Sequence, residues 1–162
     1  GRRTRPGGVM RRGLLVALAI VALDQAVKAW VVAFFAARGT DVFVVLPVFN
    51  LVMAWNHGVS FGLFNGGGGA LVFAALAVAI VVALLWWLRR ASARGLQLAI
   101  GLVIGGAVGN IVDRLARGAV VDFLDFHLGT LHWFAFNVAD AAICLGVFFI
   151  ALDGLLGERG LD

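Results

Sequence analysis

Four long apolar stretches, at roughly 13–36, 69–88, 96–113 and 135–156, constrain this chain more than any other feature. A helix needs about 20 mostly apolar residues to cross the hydrocarbon core of a membrane. The chain is 62% hydrophobic and only 14% charged, and a surface with so few charges would expose large apolar patches to water. We therefore predict an all-α transmembrane fold, a four-helix membrane bundle that forms a single integral membrane domain over residues 1–162.

A cleaved signal peptide is the alternative interpretation of the first stretch, because Arg11 and Arg12 precede it. The apolar run continues well past Asp24 and Gln25, however, and contains no clear small-x-small cleavage site. We therefore interpret it as a retained span.

The basic balance of the chain, with a net charge of +4, raises the question of nucleic-acid binding. Basic and aromatic residues do not share a stripe, so we expect no nucleic-acid partner. The single cysteine, Cys144, excludes an internal disulfide and a cysteine-based metal site.

The arginines indicate how the chain is oriented in the membrane. Nine of them fall on one side of four crossings, namely Arg2, Arg3, Arg5, Arg11, Arg12, Arg89, Arg90, Arg94 and Arg159. The positive-inside rule then places both termini and the 89–95 link in the cytoplasm. Segments 38–68 and 114–134 are expected outside, and the β-branched residues of 41–64 predict a small extracytoplasmic β segment between helices 1 and 2.

Polar side chains inside or next to the spans are costly and need a partner or a function. They fall in four groups, namely Asp24 with Lys28, Asn110 with Asp113 and Arg114, Asn137 with Asp140, and Asp122 alone in the segment expected to be an outward loop. Most of these residues lie toward the outer ends of their spans. The sequence thus predicts that carboxylates from separate segments gather near the outer membrane face.

Two neighbouring carboxylates share a proton, because both cannot ionise easily. The ionised member can then take a proton from water while the protonated one donates a hydrogen bond to a scissile carbonyl. Structural ion pairs are the competing interpretation, which we favour for Asp113 beside Arg114. We favour it likewise for Asp24 with Lys28, which are four residues apart and can pair along one helix face. For Asp122 and Asp140 the residues alone leave both interpretations open, and Asp125 is expected to be a solvated or interfacial charge.

A metal site is the alternative use of these carboxylates, through His57, His127 and His132. The spacing of these histidines fits no helical metal motif, and the chain has no HExxH sequence. We expect no metal and no cofactor.

A glycine series, Gly101, Gly105 and Gly109, predicts close contact of the third span with a neighbouring helix.

Five short motifs, in this order, resemble those of the bacterial lipoprotein signal peptidase family, signal peptidase II. They are "DQAVK" at 24–28, "NHGVSF" at 56–61, "GNIVDR" at 109–114, "VVDF" at 120–123 and "FNVAD" at 136–140. The resemblance extends from about residue 13 to 156.

The resemblance implies an aspartyl endopeptidase of the bacterial inner membrane with its active site near the extracytoplasmic face. Such an enzyme removes signal peptides from diacylglyceryl-modified prolipoproteins, cutting on the N-terminal side of the lipidated lipobox cysteine. The resemblance makes Asp122 and Asp140 the catalytic pair. It assigns substrate-binding and supporting roles to Asn56, Gly58, Asn110, Arg114, Asn137, Asp24, Lys28 and Asp113. The β segment resembles the family's β-cradle, and we expect a monomer in contact with membrane lipid.

Two other functions use similar residues. A small transporter or proton-coupled channel also needs intramembrane Asp, Asn and Arg, but it needs them through the depth of the membrane. Only Asp24 and Lys28 are expected that deep. A structural assembly subunit would use the glycine face and would need no pair of carboxylates.

Overall fold

The computed structural model of the protein describes residues 6–58 and 69–158. In chain order its elements are α1 Pro6–Arg38, β1 Val42–Leu46, β2 Phe49–Asn56, α2 Gly69–Leu88, α3 Arg94–Arg117, β3 Val120–Leu128, β4 Leu131–His132 and α4 Val138–Glu158. All four helices are long and apolar enough to cross a membrane. The predicted four-helix transmembrane bundle with a β segment is therefore confirmed.

Helix α3 is the centre of the bundle, because α1, α2 and α4 all pack against it. Of the most apolar 18-residue stretch of α3, 67% of the residues are buried, against 11% for α2 and 17% for α4. Glycines permit this close packing. A methyl group on Gly105 would lie 2.8 Å from the Ala17 carbonyl oxygen on α1. One on Gly109 would lie 2.6 Å from Asp24 Oδ2, so the predicted contact face meets α1.

The strands form one antiparallel sheet in the order β1-β2-β3-β4. The sequence predicted strands only between helices 1 and 2, so the contribution of β3 and β4 corrects that expectation. Two aspartates within "VVDFLDFHL" made this segment look like a polar loop, but both are buried in the sheet. The sheet therefore joins the segment after α1 to the segment after α3.

The end of α3 also differs from the prediction. Helix α3 continues to Arg117, so Asp113 and Arg114 lie within it rather than at its end. Gly118 then adopts a φ of 74°, which glycine reaches without strain, and the chain reverses into β3 two residues later. Residues 59–64 of the predicted β segment, the glycine connector at 65–68, and Arg2, Arg3, Arg5 and Arg159 lie outside the described residues.

Candidate active site

The first turn of α4 is closed by Asn137 and Asp140. The Asn137 Oδ1 atom accepts a hydrogen bond from the Asp140 backbone N–H at 2.9 Å, and Asp140 Oδ2 accepts one from the Asn137 N–H at 3.3 Å. This reciprocal pattern is a capping box, with aspartate in the place of the usual glutamate or glutamine. The positive end of the helix dipole stabilises negative charge here, so the helix itself holds the Asp140 carboxylate.

The side-chain amide of Asn137 brings Asp122 to the same place. Asn137 Nδ2 donates to Asp122 Oδ1 at 2.7 Å, while the backbone of Asn137 contacts Asp140. Asn137 is fully buried and Asp122 is 3% exposed. The two carboxylates that the sequence singled out thus lie on either side of one asparagine, one on β3 and one on α4.

The second oxygen of Asp122 is held by Asn56 at the end of β2. Asn56 Nδ2 donates to Asp122 Oδ2 at 3.0 Å, and Asn56 Oδ1 accepts the Gly58 N–H at 2.9 Å. The Gly58 contact fixes which end of the Asn56 amide faces the carboxylate. Gly58 has a φ of 95°, and a Cβ there would collide with the Phe73 ring, so a glycine is required.

Asn110 holds Asp140 from α3. Its Nδ2 donates to Asp140 Oδ1 at 2.8 Å, and its Oδ1 accepts from Lys28 Nζ at 3.1 Å and from Asn137 Nδ2 at 3.3 Å. Because the oxygen already serves two donors, the amino end must face Asp140. Both predicted catalytic residues are therefore fixed by asparagines whose amide orientations are set by other contacts.

Lys28 has no exposed surface and lies between two buried carboxylates. Its Nζ is 2.8 Å from Asp24 Oδ2 and 2.9 Å from Asp113 Oδ2. With Asn110, these contacts use all three donors of the ammonium group. The Asp24–Lys28 pair confirms the i,i+4 prediction. The expected pairing of Asp113 with Arg114 is wrong, because Asp113 instead contacts Lys28 and, at 2.6 Å, Arg117.

Each of the two buried carboxylates also binds the backbone of an element that carries a catalytic candidate. Asp24 Oδ1 accepts the Ala139 N–H of α4 at 2.9 Å, and Asp113 Oδ2 accepts the Val121 N–H of β3 at 3.0 Å. These backbone groups directly precede Asp140 and Asp122 in the chain. The ion pairs around Lys28 therefore position the backbone on which both candidates stand.

Two residues of this network were missed at the sequence level. Gln25 donates to Asp113 Oδ1 at 3.0 Å and to the Gly109 carbonyl at 3.2 Å, and it accepts from Arg117 at 3.3 Å. The i,i+4 spacing of Asp113 and Arg117 was the available signal for Arg117. For Gln25 the available signal was its place beside Asp24 in the "DQAVK" motif.

Burial away from water raises the pKa of the Asp122 carboxyl from 3.8 to about 6. Hydrogen bonds from Asn56 and Asn137 and the charge of Lys28 act in the other direction, while the negative charge of Asp140 adds to the rise.

A cavity of about 310 Å³ opens beside the carboxylates, between α2, α3 and α4. Asn110 both lines this cavity and binds Asp140, so one side chain connects the cavity with a catalytic candidate. Arg114 lines it too, with its guanidinium 5.8 Å from the Phe73 ring centroid and its buried Nε without a hydrogen-bond partner among the described residues. The remaining lining is mostly apolar, from Phe73, Leu76, Ala77, Ile80, Val103, Ala107 and Ile143.

Asp125 is not the solvated charge that the sequence suggested, because it is only 6% exposed. It accepts from Asn50 Nδ2 at 3.1 Å and contacts His132 Nδ1 at 2.9 Å. His132 stacks on His127 at 4.8 Å. Within residues 6–58 and 69–158, no group of three His, Cys, Asp or Glu side chains is arranged to hold a metal ion.

A family model described as Signal peptidase (SPase) II matches residues 16–156. A protein named Lipoprotein signal peptidase from Rhodopseudomonas palustris (strain TIE-1) is 43% identical over 154 residues, which cover 91% of this chain and 94% of that protein. A protein of the same name from Methylorubrum extorquens (strain PA1) is 47% identical over 152 residues, covering 90% of this chain and 86% of the relative.

Solved structures match the whole fold as well. A bacterial membrane enzyme determined by the in meso method at 2.3 Å superposes with a TM-score of 0.76 and 28% identity, covering 93% of this chain and 91% of that one. A second, at 1.9 Å, superposes with a TM-score of 0.74 and 30% identity, covering 88% of this chain and 92% of the other.

Proposed function

This chain belongs to the signal peptidase II family of aspartic peptidases, and we propose that it cleaves diacylglyceryl-modified prolipoproteins on the N-terminal side of the lipidated cysteine. The observation that carries this proposal is the shared contact of Asp122 and Asp140 with Asn137. A pair of carboxylates held this way can activate water without a metal ion.

The two carboxylates take different roles in the proposed reaction. Asp122, with its raised pKa, carries the shared proton and donates it as a hydrogen bond to the scissile carbonyl oxygen. Asp140, at the positive end of the α4 dipole, removes a proton from the attacking water. The water oxygen bonds to the carbonyl carbon and forms a tetrahedral intermediate. The carbon–nitrogen bond then breaks as Asp140 passes the proton that it took from water to the leaving amine. Hydrogen bonds from Asn56, Asn110 and Asn137 hold the two carboxylates in place during the reaction.

The cavity between α2, α3 and α4 is the proposed site for the end of the signal peptide. Its walls are apolar, as a membrane-embedded helix requires. Arg114 and Asn110 are its polar members, and Arg114 Nε lacks a partner among the described residues, so a backbone carbonyl of the substrate can accept from it. Gly58 supports the site through Asn56.

The proposed setting is the bacterial inner membrane, with both termini in the cytoplasm and the sheet on the other side. The arginines of the α2–α3 link, Arg89, Arg90 and Arg94, support this orientation. The catalytic candidates lie at the opposite end of α3 from Arg94. A translocated signal peptide ends at that face, and we propose that a monomer surrounded by lipid performs the cleavage.

Incubation of the purified protein with a diacylglyceryl-modified precursor tests the proposed activity. We expect a shorter product on a gel with the modified precursor and none with the same precursor lacking the lipid. Absence of cleavage for both, or equal cleavage of both, contradicts the proposal.

The pH dependence of kcat/KM tests the roles of the two aspartates. Because the neutral form of Asp122 is required and its pKa is about 6, kcat/KM should fall about tenfold per unit above that pH. A kcat/KM that instead rises as the pH rises above about 6 indicates that Asp122 acts in its ionised form, which reverses the proposed roles.

Thermal unfolding at each pH is the necessary control for this profile. A raised pKa in the folded state means that the folded protein holds this proton more tightly than the unfolded chain. The stabilisation from Asp122 is therefore present below pH 3.8 and is lost as the pH rises toward about 6. Activity must be compared only where the protein stays folded.

A further inference from the structure

An apolar strip begins beside Asp122 and extends away from it along one face of the sheet. We define it by Leu124, Phe126 and Leu128 on β3, Leu131 on β4 and Trp133 just after it. Side chains alternate between the two faces of a strand, and β3 runs without a bulge of its own from Val120 to Leu128. Residues 124, 126 and 128 therefore share the face of Asp122.

The cross-strand contacts place the remaining members on that face. Leu131 pairs with Leu128, and the Trp133 N–H donates to the Phe126 carbonyl at 2.8 Å. Phe49 lies 4.8 Å from the Phe126 ring and broadens the strip. From Asp122 to Leu128 the strand rises about 20 Å, which is long enough to lie along a fatty acyl chain.

Exposure increases along the strip with distance from Asp122. Asp122 is 3% exposed, Phe126 is 47%, and Leu128, Leu131 and Trp133 are each 74% exposed. The strip thus begins at a buried carboxylate and ends at an open apolar surface. The titratable groups of this hairpin, Asp125, His127 and His132, alternate onto the other face.

We infer that this strip binds an acyl chain of the diacylglyceryl group on the substrate. The inference rests on the proposed function, in which the lipid is attached to the residue directly after the scissile bond. That attachment requires the acyl chains to leave the site within one residue of Asp122. The signal peptide leaves the scissile bond in the other direction along the substrate.

The two apolar surfaces beside the carboxylates match these two parts of the substrate. The cavity between α2, α3 and α4 is built from helices, and the strip lies on the sheet. Each surface meets a different carboxylate, the cavity through Asn110 at Asp140 and the strip at Asp122 itself. A neutral, apolar surface whose exposure increases away from the site suits a hydrocarbon chain.

The test varies the acyl chain length of one precursor and measures KM with the wild type and two double variants. Leu128→Ser/Leu131→Ser removes the open end of the strip. Val42→Ser/Val44→Ser is the matched control, because both valines are exposed. The valines lie on the opposite face of the sheet from the strip, because Val44 pairs with Asn50, whose amide binds Asp125 on that face.

For the wild type and the valine variant, KM should fall as the acyl chains lengthen. For the leucine variant, KM for the long-chain precursor should rise about tenfold and lose its dependence on chain length, with kcat unchanged. An unchanged chain-length dependence, or an equal loss for every chain length, overturns the inference. If the wild type cleaves no lipidated precursor at all, the proposed function itself has failed, which is a separate result.

Discussion

Asp140→Asn lowers kcat for a lipidated precursor by about a thousandfold or more, and Asp122→Asn does the same. An amide can neither remove a proton from water nor share one with a neighbouring carboxylate. Its one oxygen can still accept one of the two hydrogen bonds that each carboxylate accepts, from Asn110 or Asn137 at position 140 and from Asn137 or Asn56 at position 122. We therefore expect both variants to remain folded at the assay temperature. Single-turnover cleavage of purified protein, followed on a gel, measures the loss.

The matched control for this experiment is Asp153→Asn, which changes an exposed aspartate on the same helix. Its kcat should equal that of the wild type. Substantial turnover in both purified Asp122 and Asp140 variants contradicts the assignment of the catalytic pair. A variant that is inactive because it is unfolded shows a lower thermal midpoint and does not decide the question.

Lys28→Met has the largest expected effect on stability, a loss of about 3–5 kcal/mol in the free energy of unfolding. The variant leaves Asp24 and Asp113 buried with no ammonium group between them. It also removes the donor that orients the Asn110 amide. Equilibrium unfolding in detergent micelles measures the change.

Arg117→Met is the matched control, since Arg117 contacts the same Asp113 but is 28% exposed. A partly exposed pair of this kind contributes only about 0–1 kcal/mol. The double variant Asp24→Asn/Lys28→Met should recover part of the loss, because it also removes the buried charge that Lys28→Met leaves without a cation, while Asp113 keeps its contact with Arg117. If Lys28→Met unfolds with the same free energy as the wild type, the ion-pair network does not support the site.

The membrane spans could be predicted from the sequence because the bilayer imposes a length and an apolar composition that a sequence shows directly. The pairing of Asp24 with Lys28 was also predictable, since residues four apart face each other on a helix. The family resemblance of the short motifs was sufficient to single out Asp122 and Asp140. Their shared contact with Asn137 needed the structure, because β3 and α4 meet only after folding.

Adjacent opposite charges misled the sequence interpretation of Asp113 and Arg114. Successive residues of a helix point about 100° apart, so Asp113 faces Lys28 while Arg114 lines the cavity. Strand β3 was missed because of its charged residues. Its two aspartates interrupt the apolar pattern. They are tolerated there because Asn50 and His132 contact Asp125, and Asn56 and Asn137 contact Asp122.

Helix α4 carries Asp140, and its N-terminus is completed by Asp24 from α1. Helix α1, which leaves the ribosome before α4, therefore supplies a group that α4 needs. A nascent chain that has inserted only α1 to α3 lacks Asp140. If Asp122 and Asp140 are the catalytic pair that we propose, such a chain cannot hydrolyse neighbouring membrane proteins, and activity begins only when α4 has docked.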